Sequence, residues 1–276
     1  MFEDILHIFY PRSYTLGNGK QVKEKFNPFP YLLILFIGVV IGLSVFTRVD
    51  FVTMFKRGDN FFDIVRAMIP PNWNYWSTME KAMLDTINMS LLGSVFGCAV
   101  ALPVSFYLSS NFKLNKIYLV THRLALSLLR TLPILVMAFF FRTVLGIGAL
   151  AGTLAISVFS YTICVKMMYE YIETLDMGAY EALESTGASR LRCILSAIWP
   201  QVKGFFLSTF LYCFETNVKS AAILGFVGAG GIGLNISGQL TLRRYGNLGL
   251  VLISMTITIM ILEAVTRFAR RKLVTG

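Results

Sequence analysis

The chain has 276 residues, 55% apolar and only 14% charged, with a mean hydropathy of +0.65. So much apolar surface exceeds what one aqueous core of this size can hide, which excludes an ordinary soluble domain and a disordered chain. The net charge of +10 would point to nucleic acid in a soluble protein; here it reads as basic residues that flank membrane spans and set their orientation, and no nucleic-acid partner is expected.

Residues 1–30 are polar and mixed in charge, and no small-residue cleavage site follows the first apolar run, so the segment is read as a cytoplasmic N-terminus without a signal peptide. The first transmembrane helix is placed at 31–49, on the apolar run Tyr31–Phe46. Residues 50–85 form an external loop. Within it Phe61, Phe62, Ile64, Val65, Met68 and Ile69 recur on a helical period, Pro70 and Pro71 end the run, and Trp73, Tyr75 and Trp76 follow. An interfacial helix is expected there, because such aromatics favour the membrane–water boundary.

The core of the protein is expected at 86–268, with spans Thr86–Leu108, Tyr118–Phe141, Ala149–Tyr171, Val202–Val218 and Leu248–Phe268, and a tail at 269–276. The fold class is therefore all-α integral membrane with about six transmembrane helices, since open strands would leave backbone groups unpaired in lipid. Lys and Arg are more numerous on one set of loops, which places both termini in the cytoplasm. Cys98, Cys164, Cys193 and Cys213 are scattered singly, and His7 and His122 are the only histidines, so neither disulfides nor a metal site are expected.

The loop 176–201 between the fourth and fifth spans carries the most information. Tyr180, Leu183 and Gly187 share one helical face, and Glu181, Glu184 and Ser185 another. Gly187 can leave the helix at positive φ and turn the chain. Leu191, Ile194, Leu195 and Ile198 begin a second apolar stripe, and Pro200 stands where a new helix can start. A short helix–turn–helix with small residues at its apex is expected, a shape suited to a groove on a soluble partner.

This stretch resembles the EAA loop of ABC-importer permeases, E-A-A-x3-G-x9-I-x-L-P. Glu181, Ala182, Gly187 and Pro200 fall in register, while Leu183, Ala197 and Trp199 depart from the pattern. Three further blocks resemble permeases of the phosphonate-importer type: Arg130–Pro133 preceded by Arg123; Gly146–Gly152 with Glu170 and Glu173 beyond the next span; and Leu211–Gly233. The last departs at Lys219, where the family commonly has Arg, and Ala149 stands where Pro is usual. The resemblance implies a type I (MetI-like) permease fold. It implies a loop including Tyr180, Glu181, Ala182, Leu183, Gly187, Ala188 and Pro200 that docks on a cytoplasmic ABC ATPase dimer. It implies a second permease subunit, identical or related, an external solute-binding protein and residence in the bacterial inner membrane. ATP and Mg would be held by the ATPase: this chain has no GxxxxGK[ST] loop, and no cofactor or catalysis of its own is expected.

Gly228-Ala-Gly230-Gly231-Ile-Gly233 satisfies GxGxxG. No acidic residue lies between Glu215 and Glu263 and the flanks are spans, so a dinucleotide site is rejected. Glycines at this density disfavour a regular helix, and irregular backbone at membrane depth must be buried in protein or line a cavity. Gly228, Gly230, Gly231 and Gly233 are therefore candidates for the gate of a translocation path, with close helix packing as the alternative. Gly38/Gly42, Gly93/Gly97 and Gly148/Gly152 have the spacing of packing contacts.

Charges at span depth are costly and so are candidate site residues. Glu215 and Lys219 are placed to pair, either to neutralise each other or to let Lys219, Asn217 and Ser220 face an anionic solute. Arg130 lies just before Pro133, either on the path or snorkelling to the surface. Glu263 and Arg267 are expected to pair at the end of the last span. A small phosphorus oxyanion (phosphonate, phosphite, hypophosphite or phosphate) is the solute that the resemblance implies, with another small solute as the alternative. A secondary transporter would call for an inverted repeat, and a lipid-modifying enzyme for clustered acids or histidines; neither is seen.

Overall fold

The computed structural model describes residues 13–17, 19–23, 28–47, 51–112 and 115–275. It divides into a unit over 1–63 and a unit over 64–276. In the first, strands β1 (Ser13–Thr15) and β2 (Gln21–Lys23) pair antiparallel, Tyr14 opposite Val22. Helix α1 (Phe29–Phe46) exposes large apolar side chains around its whole circumference, as a helix solvated by lipid does. Helix α2 (Phe51–Lys56) and α3 (Gly58–Met68) follow, the latter covering most of the expected interfacial helix.

The second unit is a bundle of α4 (Trp76–Leu108), α5 (Lys116–Thr131), α6 (Ile134–Leu145), α7 (Ala149–Glu173), α8 (Gly178–Ser185), α9 (Arg190–Cys193), α10 (Trp199–Leu224), α11 (Ile232–Thr241) and α12 (Tyr245–Thr275). Among the described residues five helices are long and apolar enough to span a membrane, or six if the bent pair α5–α6 is one span. The central pair is α4 with α7. Gly93 lies against Ile156 and Gly97 against Ser157 and Ser160, so closely that a Cβ at either would overlap its neighbour.

Three expected boundaries move. Helix α4 begins at Trp76 rather than Thr86, because Met79, Ala82 and Met83 already bury one face while Glu80, Lys81 and Asp85 hold the other. The expected span Tyr118–Phe141 is not one helix. It bends by 88° between α5 and α6, where Leu132, preceding Pro133, is forced into extended backbone. Pro200 falls in the first turn of α10, as expected, but no break precedes it: α9 runs through a π turn at Ile194–Ile198 directly into α10. The wider turn accommodates the missing proline N–H, and the Gln201 amide donates to the Ala197 carbonyl at 2.7 Å.

Candidate functional site: coupling loop and membrane path

The 176–201 loop leaves α7 at Thr174 and re-enters the bundle through α9. The Asp176 carboxylate accepts from the Gly178 N–H at 2.9 Å and opens α8. Tyr180 is 5% exposed and packs edge-on against Phe112, with ring centroids 5.4 Å apart. That burial raises its hydroxyl pKa. Leu183 and Ala188 pack on the same cluster, and Cys193 is buried beneath them. Glu181, Ala182, Glu184, Ser185 and Gly187 are exposed, as is Pro200. Of the faces read from the sequence, Tyr180 and Leu183 anchor and Glu181, Glu184 and Ser185 are open, while Gly187, read with the first, is exposed. Gly187 has φ +82°, so the chain reverses there in a conformation that glycine adopts without strain. Its N–H bonds to the Glu184 carbonyl at 3.0 Å.

From Arg190 the helix is continuous to Leu224, about 50 Å at 1.5 Å per residue. It then breaks. Gly225–Val227 is a 3-10 turn, Gly228, Gly230 and Gly231 have φ of +76°, +89° and +68°, and α11 folds back. Gly225 and Gly233 touch backbone to backbone, and a Cβ on either would overlap the other strand of this hairpin. The turn is pinned from three sides. Arg142 Nη1 donates to the Val227 carbonyl at 2.9 Å, the Gly148 N–H to Gly228 O at 3.2 Å, and the Ile232 N–H to Thr86 Oγ1 at 2.7 Å. A Cβ on Gly230 would lie 2.9 Å from Ala149 Cα. The Gly146–Gly152 block and the glycine turn, set apart in the sequence, therefore form one packed junction.

On α10, Glu215 and Lys219 pair at 3.0 Å as their spacing predicts. Glu263 does not pair with Arg267; it takes Lys219 at 2.5 Å across the α10–α12 interface. Arg270 and the Thr266 hydroxyl reach Glu215 at 2.7 Å and 3.0 Å. Two acids and two cations thus clasp the helices, leaving one donor of the half-exposed Lys219 ammonium uncommitted. Asn217 is separated from this group. It is fully buried on the opposite face and donates to Ser94 Oγ at 2.7 Å and Ser160 Oγ at 2.6 Å, tying α10 to α4 and α7. Side chains two apart on a helix cannot face one solute, which removes Asn217 from the path group within this chain. Ser220 is half-buried beside Lys219.

Other polar contacts were not foreseen. Asn72, Tyr75, Gln239 and Asn247 form a chain of hydrogen bonds of 2.8–3.1 Å, and Tyr75 also donates to Asn235 at 2.7 Å. They tie the end of the expected external loop to α11 and α12. Three of the scattered cysteines, Cys98, Cys164 and Cys213, lie in one buried cluster of the core. Neither cluster has a local sequence signal, because its contacts join segments far apart in the chain.

A polytopic bundle with a buried-footed helix–turn–helix at one end and a glycine-broken helix inside it defines a membrane permease of the type I ABC-importer class. Residues 93–275 match the family described as binding-protein-dependent transport system inner membrane component, and the chain belongs to that family. It is 27% identical over 260 residues to the phosphite transport system permease protein PtxC of Stutzerimonas stutzeri, covering 94% of this chain and 92% of that one. It is 31% identical over 194 residues to the phosphate-import permease protein PhnE of Mycolicibacterium smegmatis, covering 70% of this chain and 36% of that longer one. Its fold superposes on a chain of the inward-facing MetNI methionine ABC transporter with a TM-score of 0.65 at 20% identity, covering 73% of this chain and 99% of that one. The chain is an ABC-importer permease and a transport component of the inner membrane.

Proposed function

We propose that this chain, with a second permease subunit, forms the path for a small phosphorus oxyanion in an importer driven by a cytoplasmic ATPase dimer and fed by an external binding protein. The observation that carries the coupling is the two-faced 178–198 element: Tyr180, Leu183 and Cys193 root it in the bundle while Glu181, Ala182, Glu184 and Gly187 stand free for a partner groove. A push on the free face is transmitted along the continuous 190–224 helix to the glycine turn. The π turn beside Pro200 is the compliant point of that rod. Tilting α10 then opens or closes the junction between Gly225–Gly233 and Gly146–Gly152, with no chemistry in this chain. ATP and Mg are held by the ATPase. In this reading the loop 176–201 and both termini are cytoplasmic.

The relatives described as phosphite and phosphate permeases support the choice of solute. So does the free donor on Lys219, because a permease needs a weak, incompletely satisfied cation from which the solute can leave. The test is ATPase activity of the complex purified through this chain, with its binding protein, against phosphite, methylphosphonate, hypophosphite, phosphate and an amino acid. Stimulation by a phosphorus oxyanion is expected. Stimulation by the amino acid alone would overturn the solute, and failure of any ATPase to co-purify would overturn the coupling.

A further inference from the structure

Besides the path residues, the end of the bundle that carries the 178–198 element holds a second basic cluster. A cavity of about 50 Å³ opens between α5 and α7, lined by Arg123, Leu126, Ser127, Arg130, Lys166 and Tyr169. Arg123 and Arg130 are two helical turns apart on α5, and Lys166 and Glu173 are two turns apart on α7. Arg123 bonds Glu173 at the outer level. The helices run in opposite directions along the cavity, so Arg130 and Lys166 face each other at the inner level. Tyr169 lies between, its ring face 4.4 Å from the Arg123 guanidinium.

The charges at the two levels are unequal. Arg123 is satisfied by Glu173 and by the Leu108 carbonyl, 2.6 Å away. Lys166 has only a loose contact with Glu170, 3.6 Å away and more than half exposed. Among the described residues the exposed Arg130 side chain has no ion pair or hydrogen bond, and neither has the hydroxyl of Tyr169, which stays accessible at the cavity although the residue is only 9% exposed. Three cations against two acids leave one positive charge uncompensated, beside an idle phenol and the Ser127 hydroxyl. A guanidinium fork, an ammonium and two hydroxyls around a space of this size complement a tetrahedral oxyanion.

We infer that this cavity is an oxyanion site, in which Arg130 and Lys166 grip a phosphoryl or phosphonyl group and Tyr169 and Ser127 donate to its remaining oxygens. Taking the group to be the free solute rests on the function proposed above. Taking it to be the phosphate of a lipid headgroup does not, since the same donors fit either. The site is distinct from Lys219: it lies on α5 and α7, and its occupation would brace the bent α5–α6 pair against the helix that leads into the coupling loop.

The experiment uses the permease–ATPase complex without binding protein, in phosphatidylcholine nanodiscs. Two measurements are made: binding of radiolabelled inorganic phosphate, and anionic phospholipid retained from a phosphatidylglycerol-containing membrane, read by native mass spectrometry. The wild type should show one or the other. Saturable phosphate binding assigns the free anion, and retained phosphatidylglycerol without phosphate binding assigns the headgroup. Arg130→Gln should weaken that binding by about tenfold or more, the loss of one charge-assisted hydrogen bond. Lys166→Gln should weaken it less, and Arg130→Lys should restore it in part. The site is overturned if the wild type binds neither, or if Arg130→Gln and Lys166→Gln bind like wild type. Phosphorus-stimulated ATPase with no anion bound here sinks this inference alone. Anion bound here with no phosphorus-stimulated ATPase sinks the solute assignment alone.

Discussion

The chain turns at Gly187 and again at the Gly225–Gly233 hairpin, and the two turns use glycine differently. At Gly187 an added Cβ would meet nothing within 4 Å; the residue is there for its φ of +82°. At Gly225 the φ is an ordinary −63°, yet a Cβ would run into the Gly233 backbone. The first turn needs conformation alone, whereas the second needs conformation at Gly228, Gly230 and Gly231 and space at Gly225 and Gly233. The first is a free element whose shape matters to whatever it meets, and the second is a junction packed within the bundle itself.

Substitutions can break this contrast. Gly225→Leu should be the most damaging, costing about 3 kcal/mol or more by overpacking, and should abolish a monodisperse peak in size exclusion. A wild-type elution profile and melting temperature would mean that the hairpin is loose. Asn217→Ala removes the ties from α10 to Ser94 and Ser160 and should lower stability by about 1 kcal/mol, the scale of interhelical hydrogen bonds in membranes. Thermal unfolding in detergent reads this directly. Arg142→Met deletes the bond to the Val227 carbonyl; a loss of about 1 kcal/mol, with transport reduced more than assembly, is expected from the same melts together with uptake assays. At the open turn the sign of the comparison reverses. Gly187→Val should cost no more than the strain of about 1–2 kcal/mol at the turn, less than Gly225→Leu, and yet reduce co-purification of the ATPase. Gly187→Asn, which tolerates the left-handed region, should restore co-purification; equal defects in both would show that size rather than φ is what matters there.

The sequence carried the class and the exposed loop well, because both rest on local signals. Apolar runs of span length mark helices whatever they pack against, and the faces of α8 follow from its period alone. Gly187 announced its turn for the same reason. What was not legible depends on partners distant in the chain. Glu263 chose Lys219 on another helix over Arg267 on its own. Asn217 was placed with Lys219 by proximity in sequence and ended on the other side of α10. The bend at Pro133 was signalled by the proline, but its angle was not, since the packing of α6 against α7 sets it. Pro200 marks the first turn of α10 correctly, but the π turn that joins α9 to it has no signal in the sequence.

The burial of the cysteines has a practical consequence. All four thiols are at most 1% exposed and free of disulfides. A water-soluble maleimide therefore finds little to react with in the folded protein. A cysteine introduced at Glu184 or Ser185 would accept a fluorophore or spin label without first stripping the native ones. The moving part of the molecule can thus be tracked against an unaltered interior.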